Sequence, residues 1–211
     1  MRGIVIAGGE GPTPEVLKKI AAGADIVAAA DSGVAAAENA ELKADWVLGD
    51  MDSLDKISRL EKYPSDRILR FPPDKDFTDT ELAMTLLREK GCDEIWISGG
   101  GGGRIDHLLA IRSLFEREYP PDRWFPGDWE ILCLREGRFL NSLLPRGSLV
   151  SVFPLRHGPW EAESTGLKWP LNGIKWESGS FGISNVAFQG PFEIRSIRGR
   201  FMVIMPVIFN G

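Results

Sequence analysis

Aspartate residues in the first half of the sequence follow short apolar segments, and their shared position suggests a common chemical role. They come after the second, third, fourth and fifth apolar segments of a repeating pattern: Asp31, then Asp50 and Asp52, then Asp74, Asp76 and Asp79, then Asp106. In a parallel sheet the carboxyl ends of the strands meet at one edge, where open α/β folds bind ligands. Any one of these residues alone is more often a helix cap. Together they would repel one another unless a divalent cation neutralised them, which predicts a magnesium–nucleotide site.

A run of glycines, Gly99–Gly103, lies between the fifth apolar segment and the helical pattern that begins near Ile105. Such a turn lets backbone N–H groups approach phosphate oxygens at a helix N-terminus. The run lacks the Lys-Ser/Thr pair of a P-loop, and on its own such a run is more often a flexible loop. Arg104 and Asp106, which follow directly, favour the phosphate-binding interpretation.

Strand-then-helix units predict the scaffold that positions these residues. Apolar segments predict strands at 3–7, 26–30, 46–48, 68–71 and 95–98. Helical periodicity predicts helices at 13–22, 34–40, 54–61, 78–90 and 105–118. Alternation of this kind indicates the α/β class, here a Rossmann-like parallel sheet with flanking helices.

The second half has a different pattern, in which short strands are separated by turn residues. The strands are predicted at 130–134, 138–143, 149–153, 183–188, 192–197 and 201–208. Strands of this length and spacing predict an all-β sandwich. We therefore expect an α/β nucleotide-binding domain at 1–118, a linker rich in Pro, Gly and Trp at 119–129, and a β-sandwich at 130–211.

Composition excludes several classes of protein and partner. The chain has 211 residues, of which 43% are hydrophobic and 26% charged, as in ordinary globular proteins. Its net charge of −5 divides into −7 for residues 1–118 and +2 for the rest, and the acidic half disfavours a nucleic-acid partner. No apolar run reaches the roughly 20 residues that span a bilayer. Cys92 and Cys133 lack zinc-site spacing and fit a reducing compartment, so we expect a cytoplasmic protein without membrane association.

Six segments resemble, in order along the chain, the motifs of the thiamine pyrophosphokinase family. In the first half they are ADSG at 30–33, GDMDS at 49–53, DKDFTDTE at 74–81 and GGRIDH at 102–107. In the second half they are TGLKWPL at 165–171 and GISN at 182–185. The sequence departs from the family's usual residues at Ser32, Met51, Gly100, Gly101 and Ile111, the last at a position often occupied by Asn. None of these departures removes a carboxylate.

The resemblance implies a homodimer that transfers the pyrophosphoryl group of ATP to the hydroxyl of thiamine, giving thiamine diphosphate and AMP with Mg²⁺. By their positions in the motifs, Asp50, Asp52 and Asp79 would be the catalytic, metal-binding residues, and Asp79 is the predicted proton acceptor. A second set would bind the nucleotide: Asp31, Lys75, Asp76, Thr78, Gly102, Gly103, Arg104 and Asp106.

The same resemblance implies that Trp169, Ser184 and Asn185 form the thiamine site, completed across the dimer interface. The cationic thiazolium of thiamine favours an aromatic face, which Trp169 supplies. Without the motif, the more common interpretation of Trp169 would be a core tryptophan.

Two other functions are compatible with parts of the sequence. A nucleotidyltransferase acting on a sugar phosphate or similar phosphorylated small molecule would use the glycine-rich turn of Gly8, Gly9 and Gly11, and it would release pyrophosphate. A nucleotide-sensing module without turnover would use the β-domain to recruit a protein partner. The combination of Asp50, Asp52 and Asp79 favours metal-dependent catalysis over simple nucleotide sensing.

Overall fold

The computed structural model describes residues 1–50, 57–72, 74 and 76–208. It divides into two compact units, one made of Met1–Ile111 with Trp124–Gly127, the other of Arg112–Arg123 with Asp128–Gly211. Asp52 and Lys75, two of the predicted site residues, lie outside the described residues. No helix in the described part of the chain is long and apolar enough to cross a membrane.

The first unit is built on a parallel sheet in the order β5-β1-β2-β3-β4. Its strands are β1 Arg2–Ile6, β2 Ile26–Ala30, β3 Trp46–Gly49, β4 Ile68–Arg70 and β5 Glu94–Ser98. Its helices are α1 Pro14–Ala21, α2 Gly33–Asn39, α3 Asp79–Glu89 and α4 Ile105–Leu114, whose last residues, from Arg112, are grouped with the second unit. The central strands are almost completely buried, as in sheets covered by helices on both faces. The predicted α/β fold class is confirmed.

Two predicted helices differ from the structure. The segment predicted as a helix at 54–61 forms a 3-10 helix over Ile57–Lys62, within the part of that segment that is described. Pro64 follows closely and disfavours continuation as an α-helix. The helix predicted at 105–118 ends at Leu114, because the carbonyl groups of Phe115 and Arg117 accept hydrogen bonds from the Arg200 guanidinium instead of continuing the helical ladder.

The second unit consists of two antiparallel sheets with orders β11-β9-β13-β7 and β10-β12-β8. The strands are β7 Trp129–Leu134, β8 Phe139–Ser142, β9 Leu149–Leu155, β10 Glu161–Thr165, β11 Gly182–Val186, β12 Phe192–Arg198 and β13 Arg200–Pro206. Both sheets contribute to one hydrophobic core, in which Phe192 and Phe201 are fully buried. This is the predicted β-sandwich.

Two strands lie where the sequence pattern does not predict them. The segment 119–129, predicted as a linker, contains β6 Arg123–Phe125, which pairs beside β5 and is anchored by a hydrogen bond from Trp124 Nε1 to the Gly99 carbonyl at 2.7 Å. β10 turns Ala162 and Ser164 toward the interior, so it carries no large apolar side chain to mark it as a strand.

Gly33, at the start of α2, allows that helix to approach β1 closely. A Cβ atom there would lie 2.0 Å from the Ile6 carbonyl oxygen, a backbone atom that cannot move independently. We expect Gly33→Ala to lower the free energy of unfolding by about 1–3 kcal/mol through overpacking. Chemical denaturation measures this, with Gly23→Ala as the control, since its Cβ would meet only the flexible end of Arg2. Equal stability of the two variants would contradict the prediction.

Candidate active site

The carboxyl ends of the first unit's strands come together through glycine residues. A Cβ atom at Gly8, Gly33, Gly49 or Gly99 would lie between 2.0 and 2.3 Å from a neighbouring atom. At Gly49 that neighbour is the Asp31 carboxylate, and at Gly8 it is the Ser32 hydroxyl. Larger side chains would therefore separate the loops that carry the predicted site residues.

Asp31 and Asp50 lie at the ends of neighbouring strands. Ala30 of β2 is paired with Leu48 of β3, so the residues that follow each strand emerge at the same edge. Asp31 adopts a left-handed backbone with φ of 49°, and its N–H donates to the Leu48 carbonyl at 2.9 Å. Both aspartates are half-buried. The structure thus places these two carboxylates where the strand pattern predicts them.

The start of α3 carries two more predicted residues. Thr78 is the N-cap of this helix, and it forms a capping box with Glu81. Thr78 Oγ1 accepts the Glu81 N–H at 3.3 Å, while Glu81 Oε2 accepts the Thr78 N–H at 2.8 Å. Asp79 is the first residue of the helix and its Oδ1 atom is buried, whereas Asp76 is exposed. Helix-capping therefore explains Thr78 in structural terms, and its predicted contact with a nucleotide stays a prediction.

The described residues contain no group of three or more His, Cys, Asp or Glu side chains arranged to hold a metal ion. Asp52, one of the three predicted ligands, lies outside them. Mg²⁺ is commonly bound through only one or two carboxylates, with waters and substrate phosphates completing its coordination. Asp50 and Asp79 supply the hard oxygen donors that this ion prefers. Their chemistry fits a magnesium ion shared with a nucleotide better than a cage built from protein alone.

The glycine run is less free to bind phosphate than its sequence suggests. The N–H groups of Gly99, Gly100 and Gly101 donate to the carbonyls of Phe125, Gly8 and Glu10, respectively. Gly102 and Gly103 adopt positive φ angles of 65° and 54°. In the described part of the chain, no hydrogen bond uses the N–H of either residue. Any phosphate contact by the run is therefore restricted to its last two residues, just before α4.

Gly100 and Ile111 are two of the positions at which the sequence departs from the usual motif residues, and they meet in space. A Cβ atom at Gly100 would lie 2.1 Å from Cδ1 of Ile111, whose side chain is buried. The isoleucine fills the space that a side chain at position 100 would need. The two departures therefore compensate each other.

Arg104 and Asp106 form an exposed ion pair at the start of α4. Arg104 Nε donates to Asp106 Oδ1 at 3.1 Å, and a second N–H of the guanidinium bonds the other carboxylate oxygen. The hydrogen bonds from Arg104 hold the pKa of Asp106 at about 2. Both groups are therefore charged at neutral pH and present a fixed arginine beside Gly102 and Gly103.

We expect the Asp106 carboxyl group to titrate at about pH 2 in the folded protein, because the paired carboxylate is favoured over the acid. The lowered pKa means that this pair contributes to stability above the ordinary value near 3.8 and that the contribution is lost as the pH falls through about 2. Carbon-detected NMR of the side-chain carboxyl measures the midpoint. In Arg104→Gln the midpoint should return toward the ordinary aspartate value, and an unchanged midpoint in that variant would contradict the assignment.

The predicted thiamine-site residues are brought together in the second unit. Trp169 is 53% exposed, so its interpretation as a core tryptophan is wrong. Asn185 is buried and clamps the Trp169 backbone, since its Oδ1 accepts the Trp169 N–H at 3.1 Å and its Nδ2 donates to the Trp169 carbonyl at 2.6 Å. Ser184 is exposed, with a φ of 59°, and its N–H donates to the Ser151 hydroxyl at 3.2 Å. Asn185 therefore positions Trp169 while leaving the indole accessible.

Lys168 contacts the Trp169 ring, and the sequence pattern does not predict this contact. Its ammonium group lies 4.3 Å from the centre of the Trp169 ring, a cation–π distance. The two residues are adjacent in the TGLKWPL motif, but adjacency alone does not show that the lysine folds back over the ring. The lysine occupies part of the aromatic surface of Trp169.

Comparison with known proteins identifies similar sequences. Residues 17–120 match the family model described as the thiamin pyrophosphokinase catalytic domain. The curated thiamine pyrophosphokinase of Bacillus subtilis is 29% identical in an alignment covering 63% of this chain and 64% of that protein. The chain therefore aligns with slightly less than two thirds of that relative's length.

Solved structures extend the similarity in fold to the whole chain. The crystal structure of thiamine pyrophosphokinase from Bacillus subtilis has a TM-score of 0.80 at 23% identity, covering 99% of this chain and 100% of its own. That of thiamin pyrophosphokinase from Geobacillus thermodenitrificans has a TM-score of 0.75 at 24% identity, with coverage of 100% and 99%. A thiamin pyrophosphokinase family protein from Enterococcus faecalis gives 0.76 at 25% identity, with coverage of 99% and 100%. The match of residues 17–120 and the shared fold of the whole chain confirm the resemblance to the thiamin pyrophosphokinase family that the motifs predict.

Proposed function

We propose that this protein is a thiamine pyrophosphokinase, which transfers the pyrophosphoryl group of ATP to the hydroxyl of thiamine. The observation that carries the proposal is the match of residues 17–120 to the catalytic domain of that family. This range includes Asp31, which follows β2, Asp50, which follows β3, and Asp79, which begins α3. The products would be thiamine diphosphate and AMP.

The reaction breaks the bond between the β-phosphorus and the oxygen that bridges it to the α-phosphate. The thiamine hydroxyl oxygen attacks the β-phosphorus, and AMP leaves with the bridging oxygen. Such transfers need the triphosphate charge to be neutralised and the reacting groups to be held in line. Asp50, Asp52 and Asp79 would hold Mg²⁺, which when bound supplies that neutralisation. Asp79 is the proposed acceptor of the hydroxyl proton.

The nucleotide would be bound by residues around the same edge of the sheet. Arg104 provides a cation held in place by Asp106, and the N–H groups of Gly102 and Gly103 lie directly before it in the chain. The other proposed nucleotide contacts follow β2 or precede α3: Asp31, Lys75, Asp76 and Thr78. The cationic side chains and the backbone N–H groups are suited to phosphate oxygens, and the carboxylates are suited to the nucleoside hydroxyls.

The thiamine ring system would stack on Trp169, with Ser184 and Asn185 beside it. The indole is exposed, and Asn185 fixes the backbone of Trp169 through two hydrogen bonds. An exposed aromatic face that is held rigidly suits a flat, cationic heterocycle.

An assay of purified protein with thiamine and Mg-ATP, followed by detection of AMP and thiamine diphosphate, tests the proposal. We expect the two products to appear in equal amounts. ADP with thiamine monophosphate would indicate transfer of a single phosphoryl group, and release of pyrophosphate would indicate nucleotidyl transfer. Either result, or nucleotide binding without turnover, would overturn the proposal.

We also propose that the chain forms a homodimer through its second unit. Large apolar side chains of that unit are exposed on or beside β8, β9 and β11: Phe139, Leu143, Leu149, Phe181, Ile183 and Phe188. β11 is also an edge strand of its sheet in this unit. Exposed apolar surface and an open edge are typical of association sites.

Analytical ultracentrifugation should give about twice the chain mass of 23.3 kDa. Ile183→Asp should shift the mass to that of a monomer, because a buried charge opposes association. Glu161→Lys, which alters charge at an exposed residue of β10, a strand outside the proposed surface, should remain dimeric. A wild-type protein that is monomeric and fully active would contradict the proposal.

We further propose a cytoplasmic location. Cys92 and Cys133 are both buried and free, and unpaired thiols are usual in a reducing compartment.

A further inference from the structure

A pocket lies in the β-sandwich unit, among residues that none of the proposed catalytic steps uses. Three arginines line it, Arg135, Arg156 and Arg200, together with His157 and Glu136. These residues come from the turns that follow β7 and β9 and from the start of β13. Three guanidinium groups against one carboxylate give the lining a positive charge.

Arg200 is fixed in this pocket by backbone carbonyls. Its Nη1 donates to the carbonyls of Phe115 at 3.2 Å and Arg117 at 2.6 Å, and its Nη2 donates to that of Glu118 at 3.4 Å. These acceptors are neutral, so they orient the guanidinium without cancelling its charge. Burial lowers the pKa of Arg200, and the nearby charges of Arg156 and Arg135 act in the same direction. The Arg200 guanidinium therefore feels the charges of both other arginines, and the nearby Glu116 carboxylate acts in the opposite direction.

Of the carboxylates around the pocket, Asp122 neutralises one of its arginines, and Glu116 and Glu136 have other partners. Asp122 is paired with Arg135 at 2.5 Å, Glu116 is paired with Arg112 at 2.6 Å, and Glu136 accepts the Gly199 N–H at 2.8 Å. Glu116 also accepts the backbone N–H of Arg156. Within the described part of the chain, no carboxylate forms an ion pair with the guanidinium of Arg156 or Arg200.

Arg156 is held in an unusual conformation beside these groups. Its φ is 63°, in the left-handed region that bulky residues rarely adopt, and its backbone N–H is the one bonded by Glu116. A guanidinium has five N–H donors. Arg135 uses Nη1 on Asp122, and Arg200 uses Nη1 and one donor of Nη2, so donors remain on all three arginines.

We propose that this pocket binds a phosphate group. A tetrahedral dianion offers several acceptor oxygens to guanidinium groups that line one pocket, and its charge would complement Arg156 and Arg200, for which the described residues provide no ion-paired carboxylate. The net charge of −5 on the chain favours a small anion over an extended polyanion such as nucleic acid. The proposal does not depend on the proposed transferase activity, since none of its residues is among the proposed metal, nucleotide or thiamine residues.

Titration of the full chain with inorganic phosphate, pyrophosphate or AMP tests the proposal, using two-dimensional amide NMR in low salt with EDTA present. EDTA suppresses metal-dependent binding at the proposed active site. We expect saturable changes at the amide signals of Arg156 and Gly199. Changes there with inorganic phosphate and pyrophosphate alone would identify a site for free anions, whereas stronger binding of AMP would identify a site for a phosphate carried on an organic group.

Arg156→Gln should weaken binding by tenfold or more, because it removes charged donors without touching the carbonyl network of Arg200. Arg146→Gln removes another exposed arginine, which stacks on Phe188 outside the pocket, and it should change the affinity by less than about twofold. Thermal unfolding of both variants confirms that they are folded. The proposal is overturned if no saturable change occurs at Arg156 and Gly199, if folded Arg156→Gln binds like the wild type, or if both variants lose affinity equally.

Discussion

Replacement of Asp50 by asparagine should lower kcat for thiamine diphosphate formation by about 100-fold or more, while the protein stays folded. The residue is half-buried directly after β3, at the strand edge where open α/β folds bind ligands. Asparagine keeps the size of the side chain but removes the negative charge that would hold magnesium and the reacting phosphates. Loss of a metal-binding carboxylate in phosphoryl transfer typically costs several kcal/mol of transition-state stabilisation. Asp52→Asn should have a similar effect.

Steady-state kinetics over a range of magnesium concentrations, with thermal unfolding of the same samples, measures this effect. Asp66→Asn is the matched control, because Asp66 is exposed just before β4, at the opposite end of the strands. The control should keep near-normal kcat. Near-normal turnover of Asp50→Asn and Asp52→Asn at ordinary magnesium would contradict the metal assignment. An equal loss in Asp66→Asn would show that the effect comes from the general charge of the unit.

The sequence predicts the scaffold of the first unit well because apolar strands and capped helices leave strong local signals. In the structure Thr13 caps α1 directly before Pro14, and Thr78 caps α3 together with Glu81. The same local signals mislead when distant contacts decide the structure. β6 depends on the bond from Trp124 to Gly99, and α4 ends early where Arg200 binds the carbonyls that follow it. No local pattern reports such partners.

The candidate site shows the same division between local and distant information. Strand positions predict that Asp31 and Asp50 share an edge, and the register of β2 and β3 places them there. The sequence does not show that three N–H groups of the glycine run are used by Phe125, Gly8 and Glu10. It also does not show that Asn185 acts on the Trp169 backbone through both ends of its amide. Residue types predict which chemistry is available, whereas backbone pairing decides which groups are left to perform it.

Trp169→Ala should weaken thiamine binding by about 1–3 kcal/mol, roughly 5- to 150-fold, with ATP affinity unchanged. The indole is 53% exposed, so its removal should change the free energy of unfolding by less than about 1 kcal/mol. Trp124, which is 1% exposed, provides the contrast, since Trp124→Ala should cost about 3–5 kcal/mol of stability. Trp169→Phe retains an aromatic face and should lose only part of the thiamine affinity.

Thiamine and ATP affinities and chemical denaturation, all measured on the same Trp169→Ala protein, separate binding from folding. Trp129→Ala is the matched control for binding, because this tryptophan of the second unit is 40% exposed and lies outside the family motifs. It should leave thiamine affinity unchanged. If Trp169→Ala weakened both substrates in parallel and unfolded more easily, the residue would act through the stability of the β-sandwich. If Trp169→Ala bound thiamine with normal affinity, the assignment of Trp169 to the thiamine site would be wrong.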